Sequence, residues 1–164
     1  MTRDLERLFK DIYNKHYPMV MQMCLGYMKG SEDDAKDLMQ EVFVNIWNAL
    51  GRFRGESAFK TWIYRITVNT CLQHIKSTKK RNEVSLPASQ HSFEEPNGST
   101  TVDLNKELYK AIGELEEVDR LVVMMMLEDQ DYDEIASTMG ISPGNLRVRI
   151  HRIKKKLKEL IRHE

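Results

Sequence analysis

The sequence predicts an all-α fold: two small helical domains, an N-terminal helical bundle and a C-terminal four-helix domain with a helix-turn-helix, joined by a flexible polar linker. Apolar residues recur at helical spacing through most of the 164 residues, and strand-like alternation is weak. That periodicity lapses across residues 83–103 (EVSLPASQHSFEEPNGSTTVD), where Ser, Thr, Pro and Gly collect and four acidic side chains meet no basic one, the composition of an extended linker. Eight glycines and four prolines overall exclude a collagen-like or low-complexity chain. The domains are therefore expected at 1–82 and 104–164.

Taken in order, helices are expected near 3–16 and 18–29, separated at Pro18 and ended by Gly30. A helix over 32–50 has Ser31 as its N-cap and a core stripe of Ala35, Leu38, Met39, Val42, Ile46, Ala49 and Leu50. Its other face carries Asp37, Gln40, Glu41, Asn45 and Asn48, bordered by Phe43 and Trp47. That face reads either as solvated surface or as the docking face for a protein partner.

The helix expected at 57–80 has two apolar stripes, Phe59, Ile63, Ile66 and Thr70 on one side and Tyr64, Val68, Cys71 and Ile75 on the other. Between them runs a polar strip of Arg65, Asn69 and Lys76, bordered by Trp62 and Gln73. Cationic, amide and aromatic groups on one open strip suit single-stranded nucleic acid, where cations follow the backbone and aromatics stack on bases. The preceding loop, GRFRGE, adds Arg52, Phe53 and Arg54, and Lys79, Lys80 and Arg81 close the helix. A solvated strip with Trp62 in the core is the other reading.

After the linker, helices are expected near 104–114, 117–128, 132–139 and 143–161. Asp131 caps the third of these, Gly140 ends it, Ile141 plugs the angle, and Ser142 with Pro143 opens the last. This is the layout of a helix-turn-helix. The last helix buries Leu146, Ile150, Ile153, Leu157 and Leu160, and residues 145–164 carry eight basic and two acidic side chains. An arginine near the start of such a helix can donate two bonds to a guanine edge, while later lysines suit phosphates. A basic helix end that merely complements the macrodipole is the alternative, and the attached cap, turn and apolar comb favour DNA.

Charge looks uninformative in total, with 25 basic and 25 acidic residues. By segment it is not: residues 1–82 hold 14 basic and 9 acidic side chains, and residues 105–134 hold three basic and ten acidic. The first residues, MTRDLERLFK, lack the apolar stretch of a secretory signal, and the longest apolar run, Leu121 to Leu127, is far short of the ~20 residues that span a bilayer. Cys24 and Cys71 read as reduced core residues with no metal-ligand spacing. The five histidines are scattered, and no P-loop, H-E-x-x-H or nucleophile elbow occurs, so neither catalysis nor a cofactor is expected.

Together these stretches resemble bacterial RNA polymerase sigma factors of the extracytoplasmic-function (ECF) group. DDAKDLMQEVFVNIWNAL is similar to the family's polymerase-binding helix, GRFRGESAFKTWIYRITVN to its loop and helix for the −10 element, and EIASTMGISPGNLRVRIHRIKKKL to its −35-reading helix-turn-helix. The resemblance covers nearly all of the chain and implies a region-2-like domain at 1–82 and a region-4-like domain at 104–164. It implies docking on the polymerase's largest subunit through Asp37, Gln40, Glu41, Phe43 and Trp47. It places Phe53 and Asn69 around a flipped-out −10 base, within a −10 face of Arg52, Arg54, Trp62, Arg65, Gln73 and Lys76. Arg147, Arg149 and His151 match positions that read the −35 element, flanked by Asn145, Arg152 and Lys155. Val148 departs from the small polar residue often found in relatives, and could meet a thymine methyl.

The implied partners are core RNA polymerase, promoter DNA (duplex at −35, melted at −10) and an anti-sigma factor, with no small-molecule substrate and no membrane insertion. The implied location is the cytoplasm. In relatives the linker threads toward the active-site cleft and RNA exit path, where an acidic chain could mimic RNA or serve only as spacer. A free-standing helix-turn-helix regulator is the alternative, though the chain has no heptad seam or ligand domain to support one.

Overall fold

The computed structural model describes residues 2–55, 59–84 and 103–162, excepting the side chains of 2, 78–84, 103–105 and 162. The described chain is helical: α1 (Thr2–Tyr27), α2 (Glu32–Leu50), α3 (Phe59–Val84), α4 (Asp103–Gly113), α5 (Glu117–Leu127), α6 (Tyr132–Met139) and α7 (Pro143–Arg162). Helices α1–α3 form one bundle and α4–α7 the other. Most of the linker expected at 83–103, and the side chains of Lys79, Lys80 and Arg81, lie outside the described residues.

The two helices expected on either side of Pro18 are one. Proline removes a backbone donor and crowds the preceding turn, yet Ile12, His16, Met19, Val20, Met23, Cys24 and Tyr27 keep one buried stripe in register across it. Packing therefore overrides the local preference, with Pro18 itself exposed. α1 ends where Lys29 and Gly30 both take positive φ, 60° and 84°, and the Gly30 N–H donates back to the Leu25 carbonyl at 2.8 Å. Ser31 then starts α2 by accepting the Asp34 N–H on Oγ at 3.4 Å, with Glu32, Asp33 and Asp34 complementing the helix dipole.

The second bundle follows its local signals closely. Asp131 Oδ1 accepts the Glu134 N–H at 2.8 Å, and Ser142 Oγ accepts the Asn145 N–H at 3.1 Å. Gly140 ends α6 with φ 69° and ψ 31°, and the Ile141 N–H donates to Ala136 O at 3.1 Å. Leu146, Ile150 and Ile153 bury one face of α7 against α4, α5 and α6.

The bundles do not stand apart. The C-terminal half of α1 and the buried side of α3 pack on α5, and α3 also meets α6, so buried residues of both bundles form one apolar cluster. At the centre of this seam Arg120 of α5 is only 6% exposed. Its Nε donates to the Tyr27 carbonyl at 2.9 Å, its Nη1 donates to the Leu115 carbonyl at 2.7 Å, and its guanidinium lies 5.3 Å from the Tyr27 ring centre. One arginine thereby occupies a carbonyl that the end of α1 leaves free and the turn between α4 and α5.

Two expectations follow. Gly140→Val should cost about 1–2 kcal/mol, because a left-handed backbone penalises a side chain at Cβ, read as a lower urea midpoint with an unchanged slope. His16 is buried, and desolvation, aided by Lys15 and Lys60, lowers its pKa below the ordinary 6.5. A group whose pKa falls on folding contributes fully above its unfolded value and loses that contribution as pH drops through the folded one. Thermal stability should therefore fall below about pH 6.5, and His16→Gln should flatten that dependence.

Candidate nucleic-acid and partner interfaces

On α2 the expected core stripe is buried except for Ala49, which is half-buried, and Asp37, Gln40, Glu41 and Asn48 are exposed. Two side chains of the neighbouring face behave differently. Phe43 is buried, and Asn45 turns inward so that Nδ2 donates to Thr70 Oγ1 of α3 at 2.9 Å. Trp47 remains 39% exposed and Val44 56%.

The reason is a groove of about 440 Å³ between α1 and α2, lined by Phe9, Tyr13, Met39, Gln40, Phe43, Val44 and Trp47. Phe43 is its floor, with the Tyr13 ring 4.6 Å away in a tilted arrangement; Phe9 meets Trp47 edge-on at 5.4 Å. Phe9, Tyr13 and Val44 were missed in the sequence because they fit a helix stripe equally well as core. The clue lay in their number: aromatics at 9, 13 and 17 exceed what one stripe of α1 needs. The groove is apolar with Asp37 and Glu41 nearby on α2, so it suits a helix presenting apolar and basic side chains.

On α3, Arg65, Asn69, Gln73 and Lys76 share one exposed face, as their spacing requires. Trp62 is half-buried in a cluster with the loop residue Phe53 and with Phe59, whose rings stack at 4.4 Å; Phe53 lies 4.9 Å from Trp62. The structure thus brings Phe53 and Trp62 together and sets Asn69 two turns further along the same helix. Arg52 and Arg54 are exposed in the loop. Arg65 is not free: its Nη2 lies 3.7 Å from Glu134 Oε2 of α6.

On α7, Asn145, Arg147, Val148, His151, Arg152 and Lys155 are exposed together, Val148 at 59%. Arg149 is set apart from them. Its Nη1 donates to Asp119 Oδ1 of α5 at 2.6 Å, both side chains being partly buried. That short charge-assisted bond ties α7 to α5 and fixes the angle at which the helix presents its other side chains.

Two known family models match the chain. The model described as Sigma-70 region 2 matches residues 12–81, and that described as Sigma-70, region 4 matches residues 105–157. The chain is 30% identical to the ECF RNA polymerase sigma-E factor of Haemophilus influenzae, covering 95% of this chain and 88% of that protein. It is 31% identical to RNA polymerase sigma factor CarQ of Myxococcus xanthus, over 93% and 88% of the two chains. The fold is similar to the sigma factor RpoE of Bartonella quintana, solved with the anti-sigma factor NepR, with a TM-score of 0.72 at 22% identity over 94% of this chain and 96% of that one. It is also similar to CnrH, solved with the cytosolic domain of CnrY, with a TM-score of 0.68 at 22% identity over 97% and 90%. Two sigma-70 regions in order, with relatives matched along nearly their whole length, show that the chain belongs to the ECF RNA polymerase sigma factors, the subunits that direct the polymerase to its promoters.

Proposed function

We propose that this sigma factor divides its work among three surfaces. The α1–α2 groove, with Asp37, Gln40 and Glu41 on its α2 side, docks on a helical element of core polymerase; Phe43 supports the groove from below, and Trp47 and Val44 make the contact. The α3 strip and its aromatic loop bind the melted −10 element, with Phe53 and Asn69 nearest a displaced base and Arg52, Arg54, Arg65, Gln73 and Lys76 along the backbone. The exposed start of α7 reads the duplex −35 element through Asn145, Arg147, Val148 and His151, while Arg152 and Lys155 hold phosphate and Arg149 positions the helix. Residues 1–82 and 104–164 act as separate domains in this scheme.

The observation that carries this reading is the sorting of side chains. Asp37, Gln40, Glu41, Val44 and Trp47 are exposed together on α2, Arg65, Asn69, Gln73 and Lys76 on α3, and Asn145, Arg147, Val148, His151, Arg152 and Lys155 on α7, each on a face opposite a buried apolar stripe. Nucleotide chemistry belongs to the polymerase, and the sigma factor is not itself an enzyme. It works in the cytoplasm, and among the described residues no helix is long and apolar enough to cross a membrane. An anti-sigma factor is a further partner, supported by the complexes in which the structural relatives were solved.

Docking is tested by Val44→Asp and Asp37→Arg, each of which should reduce co-purification with core polymerase at least tenfold while leaving the circular dichroism spectrum unchanged. Wild-type retention by both variants would remove the groove from the docking site. On −35 duplexes, Arg147→Ala should relax base preference by about 1–3 kcal/mol at one position. Lys155→Ala should weaken all sequences alike and lower the salt slope by roughly one; titrations at several salt concentrations separate the two effects.

A further inference from the structure

The first turns of α7 have two polar edges, and the structure treats them unequally. At about 100° per residue, Arg147 and Arg149 leave the helix some 160° apart, on opposite flanks of the stripe that Leu146, Ile150 and Ile153 bury. His151 follows Arg147 one turn on, and both are exposed. On the other flank Arg149 stands between Asn145, one turn before it, and Arg152, one turn after it, and both of these are exposed. Arg149 itself is engaged within the protein. Its Nη1 donates to Asp119 Oδ1 at 2.6 Å, and the two side chains are only 29% and 20% exposed. Asp119 lies in the first turn of α5, where its charge also complements that helix's dipole. Its place is therefore set by α5 rather than by anything α7 binds.

A guanidinium between Asn145 and Arg152 has an obvious alternative use. Arginine keeps its charge at any ordinary pH and carries five donors, which suit a phosphate or, two at a time, the edge of a guanine. A carboxylate at 2.6 Å offsets that charge and takes one end of the fork. We propose that Asp119 is a specificity-determining residue of the −35 site that acts through Arg149. It withholds one guanidinium from the DNA and leaves base choice to the opposite edge, Arg147 and His151, with Val148 between the two. Asp119 touches no base in this scheme; it is a positioning residue. Because the two arginines stand on opposite flanks, drawing Arg149 toward α5 also turns the Arg147 edge away from α5. The carboxylate thus decides both which arginine is available and how α7 is rotated about its own axis.

This rests on the assignment of α7 to the −35 element, and the measurements separate the two. The full chain is titrated against duplexes carrying the −35 sequence selected by wild-type holoenzyme, with each base pair varied singly and at several salt concentrations. Asp119→Ala should tighten binding averaged over all duplexes about threefold and steepen the salt slope by roughly one, the mark of one added phosphate contact. At one base pair it should also shift preference toward guanine by about tenfold. Asp119→Glu, which restores the carboxylate, should keep the wild-type slope and preference. Adding Arg149→Ala to Asp119→Ala should erase all three changes. A gain that survives this addition would overturn the proposal, because Arg149 would not be its source. So would an Asp119→Ala protein of lower thermal stability with unchanged slope and preference, which is what a purely structural bond predicts. Loss of an existing guanine preference in Asp119→Ala and in Arg149→Ala alike would also overturn it, since Asp119 would then aim Arg149 at a base. Arg147→Ala is the separate check: if it keeps the full wild-type preference at every base pair, the α7 assignment fails whatever Asp119 does.

Discussion

One buried cation sets the arrangement of the two bundles. Arg120 gives up its water for two carbonyl oxygens and the face of an aromatic ring. Desolvation lowers its pKa from the ordinary arginine value, and the nearby Tyr27 and Glu117 oppose that shift, so the group stays charged at neutral pH. Its donors are directional, and they meet α1 and the α4–α5 turn at fixed points. Apolar contacts alone would let Met124, Gly26 and the α3 face slide against one another; the arginine gives that contact a register. From it follows what the α3 strip faces, and hence the approach of Glu134 to Arg65.

A second short ionic bond does the same inside the C-terminal bundle. Arg149 and Asp119 meet at 2.6 Å, locking α7 onto α5 while leaving the neighbouring Arg147, Val148 and His151 free. Two arginines one residue apart on α7 therefore serve different ends: Arg149 fixes the helix, and Arg147 stays exposed. The total charge of zero hides this division, because opposite charges are segregated by segment and then partly brought into contact by folding.

Local signals were legible where one or two residues decide the backbone. Ser31, Asp131, Gly140 and Ser142 marked helix ends that the structure shows with the expected hydrogen bonds. The faces of α3 and α7 were legible because a 3.6-residue period sorts buried from exposed. Pro18 misled because a local backbone preference was weighed without the packing that overrides it. Phe43 misled for a related reason: spaced four after Met39 and three before Ile46, it falls on the core stripe as readily as beside it. Arg120 carried a detectable signal, a lone cation heading an apolar run, but its partner is a backbone carbonyl 93 residues away. No periodicity reports a contact of that kind, so the seam became visible only in three dimensions.

The continuity of α1 through Pro18 has a mechanical consequence. Tyr13 in the α1–α2 groove and Tyr27 at the seam stand on the same rod, about 21 Å apart along its axis. Over that lever arm a tilt of about 5° moves the far end by nearly 2 Å, more than a 2.9 Å hydrogen bond can follow. Had the helix broken at the proline, the hinge would absorb such a tilt. Unbroken, it delivers force applied in the groove to the carbonyl that Arg120 holds.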